Sequence, residues 1–349
     1  MKAYVLHGIA DLRFEEIKKP ELKSNEVLVE VQAAGICGSD IPRIFETGTY
    51  QFPQIPGHEF AGIVVAAGAE TDTAWIGKRV GIFPLIPCKQ CDSCRKGLYE
   101  MCKNYSYLGS RADGGFSEYV AVPVWNLIEL PEEVSFETAA MLEPMAVAVH
   151  AMRSIVPLKN ETVVVQGLGT IGMLLVLFLM DAGIKELFVI GNKDFQKRMA
   201  ENIGIPKERY FDIREGNITG SLKERLKNGA NVFFDCVGKN DTISNGIESA
   251  APAGRIQLIG NPASDMRFNK EIYWKILRNQ LTIKGSWNSS YKHEKTDDWN
   301  YVLGRLREGA VQPERYITHK FLFAELAQGL QIMKKKQEDY MKIMIVKEK

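Results

Sequence analysis

The spacing of apolar and polar residues changes character along the chain. From residue 2 to about residue 124 the apolar positions come in short alternating or continuous runs, at 27–31, 62–65, 79–82 and 116–122, each broken by Gly or Pro. A period of two punctuated by turn residues predicts strands, so this stretch is expected to form a β-rich, barrel-like lobe. From about Thr138 helical patches alternate with compact apolar runs at 162–166, 187–190, 232–235, 255–259 and 281–284. Strands separated by helices predict repeated βαβ units and a doubly wound parallel sheet. A polar helix is expected after Trp287, followed by a last strand-like run at 340–346 that returns to the first lobe. The chain is thereby divided at 1–145, 146–286 and 287–349, with no internal repeat, low-complexity tract or extended linker.

Composition narrows the class. At 349 residues the chain is longer than one core usually supports, and 45% apolar with 25% charged residues describes an ordinary globular protein. The 44 basic and 43 acidic side chains leave a net charge of +1, which gives no footprint for nucleic acid or an anionic membrane surface. The apolar run at 173–180 is too short to span a bilayer, and the opening residues lack the apolar core of a signal peptide. The expected setting is cytoplasmic and reducing, where thiols are available to metals.

Two segments carry metal-binding patterns of different kinds. Cys88, Cys91, Cys94 and Cys102 form a C-x2-C-x2-C-x7-C array, four of the six cysteines within fifteen residues. Four thiolates this close suit a tetrahedral Zn2+, whereas two disulfides in so tight a lobe would be strained. Such a site is closed, so chemistry must lie elsewhere. An open set is available: Cys37, the adjacent pair His58 and Glu59, and Glu143. Cys, His and a carboxylate that leave one position for water or substrate make a catalytic zinc site.

The run 163–172 reads Val-Val-Val-Gln-Gly-Leu-Gly-Thr-Ile-Gly. Gly167, Gly169 and Gly172 permit a tight turn, approach of a pyrophosphate and close helix packing, Thr170 and Ile171 join them as expected cofactor contacts, and the N-terminus of the apolar helix expected at 173–180 favours the anion. A dinucleotide site is expected here. The second strand ends Ile190-Gly191-Asn192-Lys193-Asp194, without the carboxylate that usually holds the adenosine ribose. With Asn192, Lys193 and Arg198 in its place a 2′-phosphate is accommodated; alternatively Asp194 reaches back and NAD is used. Arg43, Arg111 and the basic neighbourhood of Trp287 are candidates for gripping a substrate phosphate. Cys236 and His150 read as packing, and His7, His293 and His319 show no partner pattern.

In order along the chain, Gly57-His58-Glu59, the four-cysteine lobe, the Asp-Gly-Gly-Phe-Ser-Glu-Tyr run at 113–119, the Glu143-Pro144 pair and the glycine fingerprint resemble the zinc-containing medium-chain dehydrogenases from end to end. Glu143, where other members carry cysteine, makes the chain most similar to the sugar-alcohol branch, and the stretches 37–45, 108–116 and 285–287 carry that likeness furthest. The resemblance implies an α/β protein with a GroES-like catalytic lobe built from both chain ends and a Rossmann domain between them. It implies one catalytic and one structural zinc per chain, NAD or NADP, and a homodimer or homotetramer. Cys37 and His58 become zinc ligands, with Glu59 and Glu143 as alternatives or partners for the remaining positions. Ser39 matches the hydroxyl of the family's proton relay, and Asp40 a group that orients His58; a Ser or Asx turn is the plainer alternative for both. Pro42 stands where many relatives carry a relay histidine. The implied reaction is oxidation of a secondary hydroxyl of a polyol phosphate to a ketose phosphate, with a free polyol as the alternative substrate. A catalytically silent zinc- and nucleotide-binding protein is the more distant alternative.

Overall fold

The computed structural model describes residues 1–262 and 264–348. Two units emerge, one from residues 1–144 together with the chain from Ser290 onward, the other from residues 145–289.

The first unit is organised by one strand. Glu26–Ile36 reads EVLVEVQAAGI and is buried along nearly its whole length, because apolar residues at alternate positions are joined at its end by Ala33, Ala34 and Gly35, small enough to pack on both faces. At eleven residues it is long enough to serve two partners on one edge: 26–30 pair with Tyr119–Pro123 and 33–36 pair with Lys342–Val346. Glu59–Ala67 lies along its other edge, followed by Arg79–Ile82 and Leu127–Glu129. Ile317–Leu322 adds a parallel strand outside Lys342–Val346. The core beneath includes Val27, Val29, Ile44, Phe60, Val64, Phe116 and Ile343. Beside it, Phe83 stands at the centre of an aromatic cluster, with Trp125, Tyr291 and Trp299 at ring-centroid distances of 5.9, 5.3 and 5.4 Å.

The second unit holds six parallel strands in the order Tyr210–Asp212, Glu186–Gly191, Thr162–Gln166, Ala230–Asp235, Ala250–Leu258, Thr282–Gly285. Counted within the unit this is 3-2-1-4-5-6, the order of a Rossmann sheet, and ligands of such sheets sit where the order reverses, beyond the carboxyl ends of the first and fourth strands. Val163, Val164, Val165, Phe233 and Phe234 are fully buried, as strands covered on both faces require. The fold is thus a GroES-like unit plus a Rossmann unit.

The apolar pattern located the central strands and underestimated the length of several. The expected run at 27–31 continues to Ile36, and the expected helix at 173–180 extends to Thr170–Asp181. Several elements escaped it, among them Tyr210–Asp212 and Leu127–Glu129, only three residues long, and the C-terminal Ile317–Leu322 and Leu326–Lys335, whose strand is half-exposed and lacks a clean alternation. The units divide after Pro144 and Ser289, against expected divisions after 145 and 286. Beyond the edge strand the chain stays on the parallel sheet, where the Ser286 N–H donates to the Leu258 carbonyl at 2.9 Å.

Phe83→Ala removes the hub of the aromatic cluster, and a loss of about 3–5 kcal/mol in the stability of the first unit is expected from the cavity left behind. Urea unfolding followed by tryptophan fluorescence measures it; an unchanged midpoint would show that the cluster is not part of the core.

Candidate active site

Sheet register brings the chemistry together at one end of the first unit. Gly35 pairs with Glu59 and Ile36 with Ile343, so Cys37, Glu59 and Lys342 arrive side by side on three neighbouring strands, with His58 preceding Glu59. Ligand atoms of Cys37, His58 and Glu59 all lie within 4.8 Å of one another. His58 and Glu59 are buried and Cys37 half-buried.

Around these three the surroundings are polar and committed. Asp40, fully buried, accepts the Cys37 backbone N–H at 2.9 Å and an Arg43 Nη1 hydrogen at 2.8 Å, and its Oδ1 stands 3.5 Å from His58 Nδ1. The Ser39 hydroxyl donates to Cys37 Sγ at 3.4 Å and does not cap the short helix Asp40–Phe45, in whose first turn Pro42 sits. Burial opposes a charge on His58, yet Asp40 and the Cys37 sulfur outweigh it and raise its pKa well above the usual value. The Lys342 ammonium is paired with Glu59 Oε2 and donates to the Ile36 carbonyl at 3.1 Å. Burial opposes this charge too, but Glu59 and Cys37 hold the Lys342 pKa above its ordinary value.

A cation fits this pocket. A sulfur, an imidazole and a carboxylate converge on one point, with further acids behind them, and His58 Nδ1 is buried without a hydrogen-bond partner. Glu143, in the first turn of Leu142–Ile155, is not among the three converging groups. It is buried, accepts the Tyr107 hydroxyl at 3.2 Å, and burial together with the nearby Glu59 charge, against the pull of His58, pushes its carboxyl up to about 7.

The four-cysteine lobe has a different geometry. Sulfurs at the corners of a zinc tetrahedron with bonds of about 2.3 Å stand about 3.8 Å apart. Cys88 and Cys94 sulfurs are 4.0 Å apart, Cys91 and Cys102 3.9 Å, and all four lie within 4.8 Å of one another. The Cys88 N–H donates to Cys102 Sγ at 3.3 Å, and backbone N–H groups of Cys94 and Lys103 bring the Cys91 thiol down to about 6. None of the six cysteines is in a disulfide.

In the second unit a cleft of about 380 Å3 opens at the switch in strand order, lined by Gly167, Gly169, Gly191, Asn192, Gln196 and Lys239 among others. A Cβ at Gly172 would run into the Gly167 carbonyl oxygen, whereas one at Gly169 would meet nothing within 4 Å. The turn is therefore packed tight on its inner side and open on its outer side, the space a pyrophosphate needs above the helix that begins at Thr170. Of the expected cofactor contacts, Gly167, Gly169 and Asn192 line the cleft; Thr170, Ile171 and Gly172 form the helix start, and Lys193 and Arg198 do not line it.

The candidate substrate contacts fare unevenly. Arg43 is committed to Asp40. The Arg111 guanidinium lies between two rings, 4.1 Å from the centroids of both Tyr50 and Tyr105; its Nη1 donates to the Tyr105 carbonyl at 3.2 Å and its Nε is buried without a partner. Trp287 belongs to the other unit and is half exposed. Sequence reasoning missed Lys342 and Tyr107. Lys342 left a signal, a lone cation opening an otherwise apolar strand, KIMIV; Tyr107 left none.

The alcohol dehydrogenase GroES-like domain matches residues 23–132 and the zinc-binding dehydrogenase domain residues 170–307. The chain belongs to the zinc-dependent medium-chain dehydrogenases, enzymes that use zinc and a nicotinamide cofactor. It is 32% identical over 332 residues to galactitol 1-phosphate 5-dehydrogenase of Escherichia coli K12, covering 95% of each chain, and that enzyme's crystal structure superposes with a TM-score of 0.92 over 99% of this chain and 100% of the other, at 31% identity. D-xylulose reductase of Scheffersomyces stipitis is 30% identical over 95% of this chain and 94% of its own. A short-chain alcohol dehydrogenase named RspB, from Escherichia coli CFT073 and crystallised with NADH, is 28% identical with a TM-score of 0.90 over 99% of both chains. Among the described residues no helix is long and apolar enough to cross a membrane.

Lys342→Met leaves Glu59 buried without its counter-charge and is expected to cost about 3–5 kcal/mol, most of it recovered in Lys342→Met/Glu59→Gln. Paired urea titrations of the single and double variants check this; additive losses would break the assignment. Elemental analysis of purified protein is expected to find about two zinc ions per chain, and Cys94→Ser about one. A wild-type value near one would remove one of the two metal sites.

Proposed function

We propose that this chain oxidises a secondary hydroxyl of a polyol phosphate to a ketose phosphate. The observation that carries the reading is the convergence of Cys37, His58 and Glu59 within 4.8 Å, in a pocket whose neighbouring groups are already hydrogen-bonded. In this reading Cys37 and His58 hold the catalytic zinc, and Glu59 or Glu143 supplies the third donor. Zinc held there would supply Lewis-acid polarisation of the substrate hydroxyl, and a nicotinamide held in the Rossmann cleft would supply the hydride acceptor. Asp40, whose Oδ1 stands 3.5 Å from His58 Nδ1, sets a negative charge beside the imidazole and steadies it next to the metal. The Ser39 hydroxyl, beside Cys37, takes up the proton of the bound alcohol while its own passes to water or the cofactor ribose, since Pro42 offers no imidazole. The four cysteines at 88, 91, 94 and 102 hold the second zinc as a structural knot.

A phosphate on the substrate is supported by the similarity to galactitol 1-phosphate 5-dehydrogenase and by Arg111. Its guanidinium is kept planar between Tyr50 and Tyr105, and Tyr105 packs on Tyr107, which in turn packs on His58, at centroid distances of 6.2 and 5.8 Å. A cation held on the same aromatic run as the metal pocket suits an anionic group at the far end of a polyol. The similarity to D-xylulose reductase favours the second reading, a free polyol. The six free cysteines are in keeping with a cytoplasmic setting. A second copy is the partner we infer: Thr282–Gly285 is an exposed edge strand, and Tyr273, Trp274 and Leu277 stand exposed on the helix Lys270–Arg278 that precedes it.

Cys37→Ser and His58→Ala are each expected to lower kcat by about a thousandfold or more while circular dichroism is unchanged. A panel of sugar alcohols and their phosphates, followed by absorbance of the reduced cofactor, is expected to give the phosphate esters at least about tenfold higher kcat/KM, a preference that Arg111→Met removes. Equal rates on free and phosphorylated polyols would leave the free-polyol reading; full activity in both metal-pocket variants would end the catalytic one.

A further inference from the structure

The adenosine end of the Rossmann cleft departs from the arrangement that holds a ribose diol. In that arrangement a carboxylate ends the second strand. Here the strand Glu186–Gly191 ends in glycine, and a Cβ at Gly191 would run into the Tyr210 hydroxyl and come within 3.0 Å of Gln196 Oε1. Tyr210, from the neighbouring strand, is buried and donates its hydroxyl hydrogen to the Lys193 carbonyl at 3.2 Å. It thus occupies the volume that an acidic side chain would need.

The nearest carboxylates are spent on another partner. Asp194 and Asp212 both pair with Arg214, through its Nη2 and, for Asp212, through Nε at 2.8 Å as well. Asp194 is therefore turned toward Arg214, and the alternative in which it reaches back to a ribose lacks a free acid. Gly191, Asn192, Gln196 and Ile213 line this end of the cleft, all of them uncharged. Lys193 follows directly, and Arg198 lies on the helix Asp194–Asn202.

We propose that the chain selects NADP over NAD, receiving the 2′-phosphate between the Asn192 and Gln196 amides and the cations Lys193 and Arg198, at a ribose site from which Tyr210 excludes a carboxylate. A diol at this place meets no anionic acceptor for its two hydroxyls, whereas a phosphate dianion meets amide donors, a neutral phenol and a surplus of positive charge. The proposal rests on the dinucleotide role of the cleft and not on which polyol is oxidised.

Calorimetry on the zinc-loaded enzyme, without polyol, tests it. NADP+ is expected to bind at least about tenfold more tightly than NAD+, and 2′,5′-ADP more tightly than 5′-ADP by a similar factor. Lys193→Ala/Arg198→Ala is expected to erase most of that difference, and Gly191→Asp/Tyr210→Ala to reverse it. NAD+ binding as tightly as NADP+, or a preference that survives the loss of both cations, overturns the proposal while leaving the dehydrogenase reading intact. Failure of both dinucleotides to bind overturns this proposal and the dehydrogenase reading together.

Discussion

The buried pair of Lys342 and Glu59 is the interaction on which the arrangement of the first unit depends. Cys37, Asp40, Glu59 and Glu143 place four groups that carry or acquire negative charge around one imidazole, largely out of water. Such a collection is costly to bury unless cations accompany it. Arg43 answers Asp40, and Lys342 answers Glu59. The second of these comes from the last strand of the chain, which explains why the C-terminal segment must return to the lobe where the chain began: without Lys342–Val346 beside Glu26–Ile36, no cation stands next to Glu59. The pair also leaves the pocket open to a metal, since Lys342 engages one oxygen of Glu59 and the backbone of Ile36 while the sulfur and the imidazole face each other.

The two metal patterns divide structure from chemistry for a simple reason of supply. Four thiolates from one short segment satisfy a tetrahedral ion completely, so the 88–102 lobe needs nothing from the rest of the fold. The Cys37 pocket draws its three converging groups from two neighbouring strand ends, and its supporting cation from a third strand. Its geometry is therefore a product of sheet register. A one-residue slip between Glu26–Ile36 and Glu59–Ala67 would turn Glu59 away from Cys37, because alternate side chains point to opposite faces.

Much of this was legible in the sequence because it rests on local spacing. The cysteine array, the glycine fingerprint and the βαβ rhythm each depend on residues close along the chain, and Thr162–Gln166 and Arg79–Ile82 match the strands expected from their apolar runs to the residue. What was not legible depends on which strand lies beside which. The pairing of residue 342 with residue 59, the commitment of Arg43 to Asp40, and the Tyr50–Arg111–Tyr105 sandwich join residues that no period connects. Arg43 shows the difference well: beside the Cys37 loop it read as a phosphate grip, yet three positions after a buried acid on a helix it is better placed to neutralise that acid, and does so.

Two glycines at strand ends show how the same absence of a side chain can have opposite chemical results. At Gly35 a Cβ would press on Glu59 and come within 2.7 Å of Lys342 Cε, so the missing side chain lets a cation and a carboxylate meet next to the metal pocket. At Gly191 the space is taken by the Tyr210 hydroxyl from the neighbouring strand, and here the missing side chain keeps a carboxylate out. In each case the neighbour's polar group fills the room that glycine leaves, and the identity of that neighbour sets the local charge. Reading a strand-end glycine as a turn residue alone therefore overlooks its second consequence, which is to let the adjacent strand choose whether a ligand meets an anion, a cation or a neutral hydroxyl.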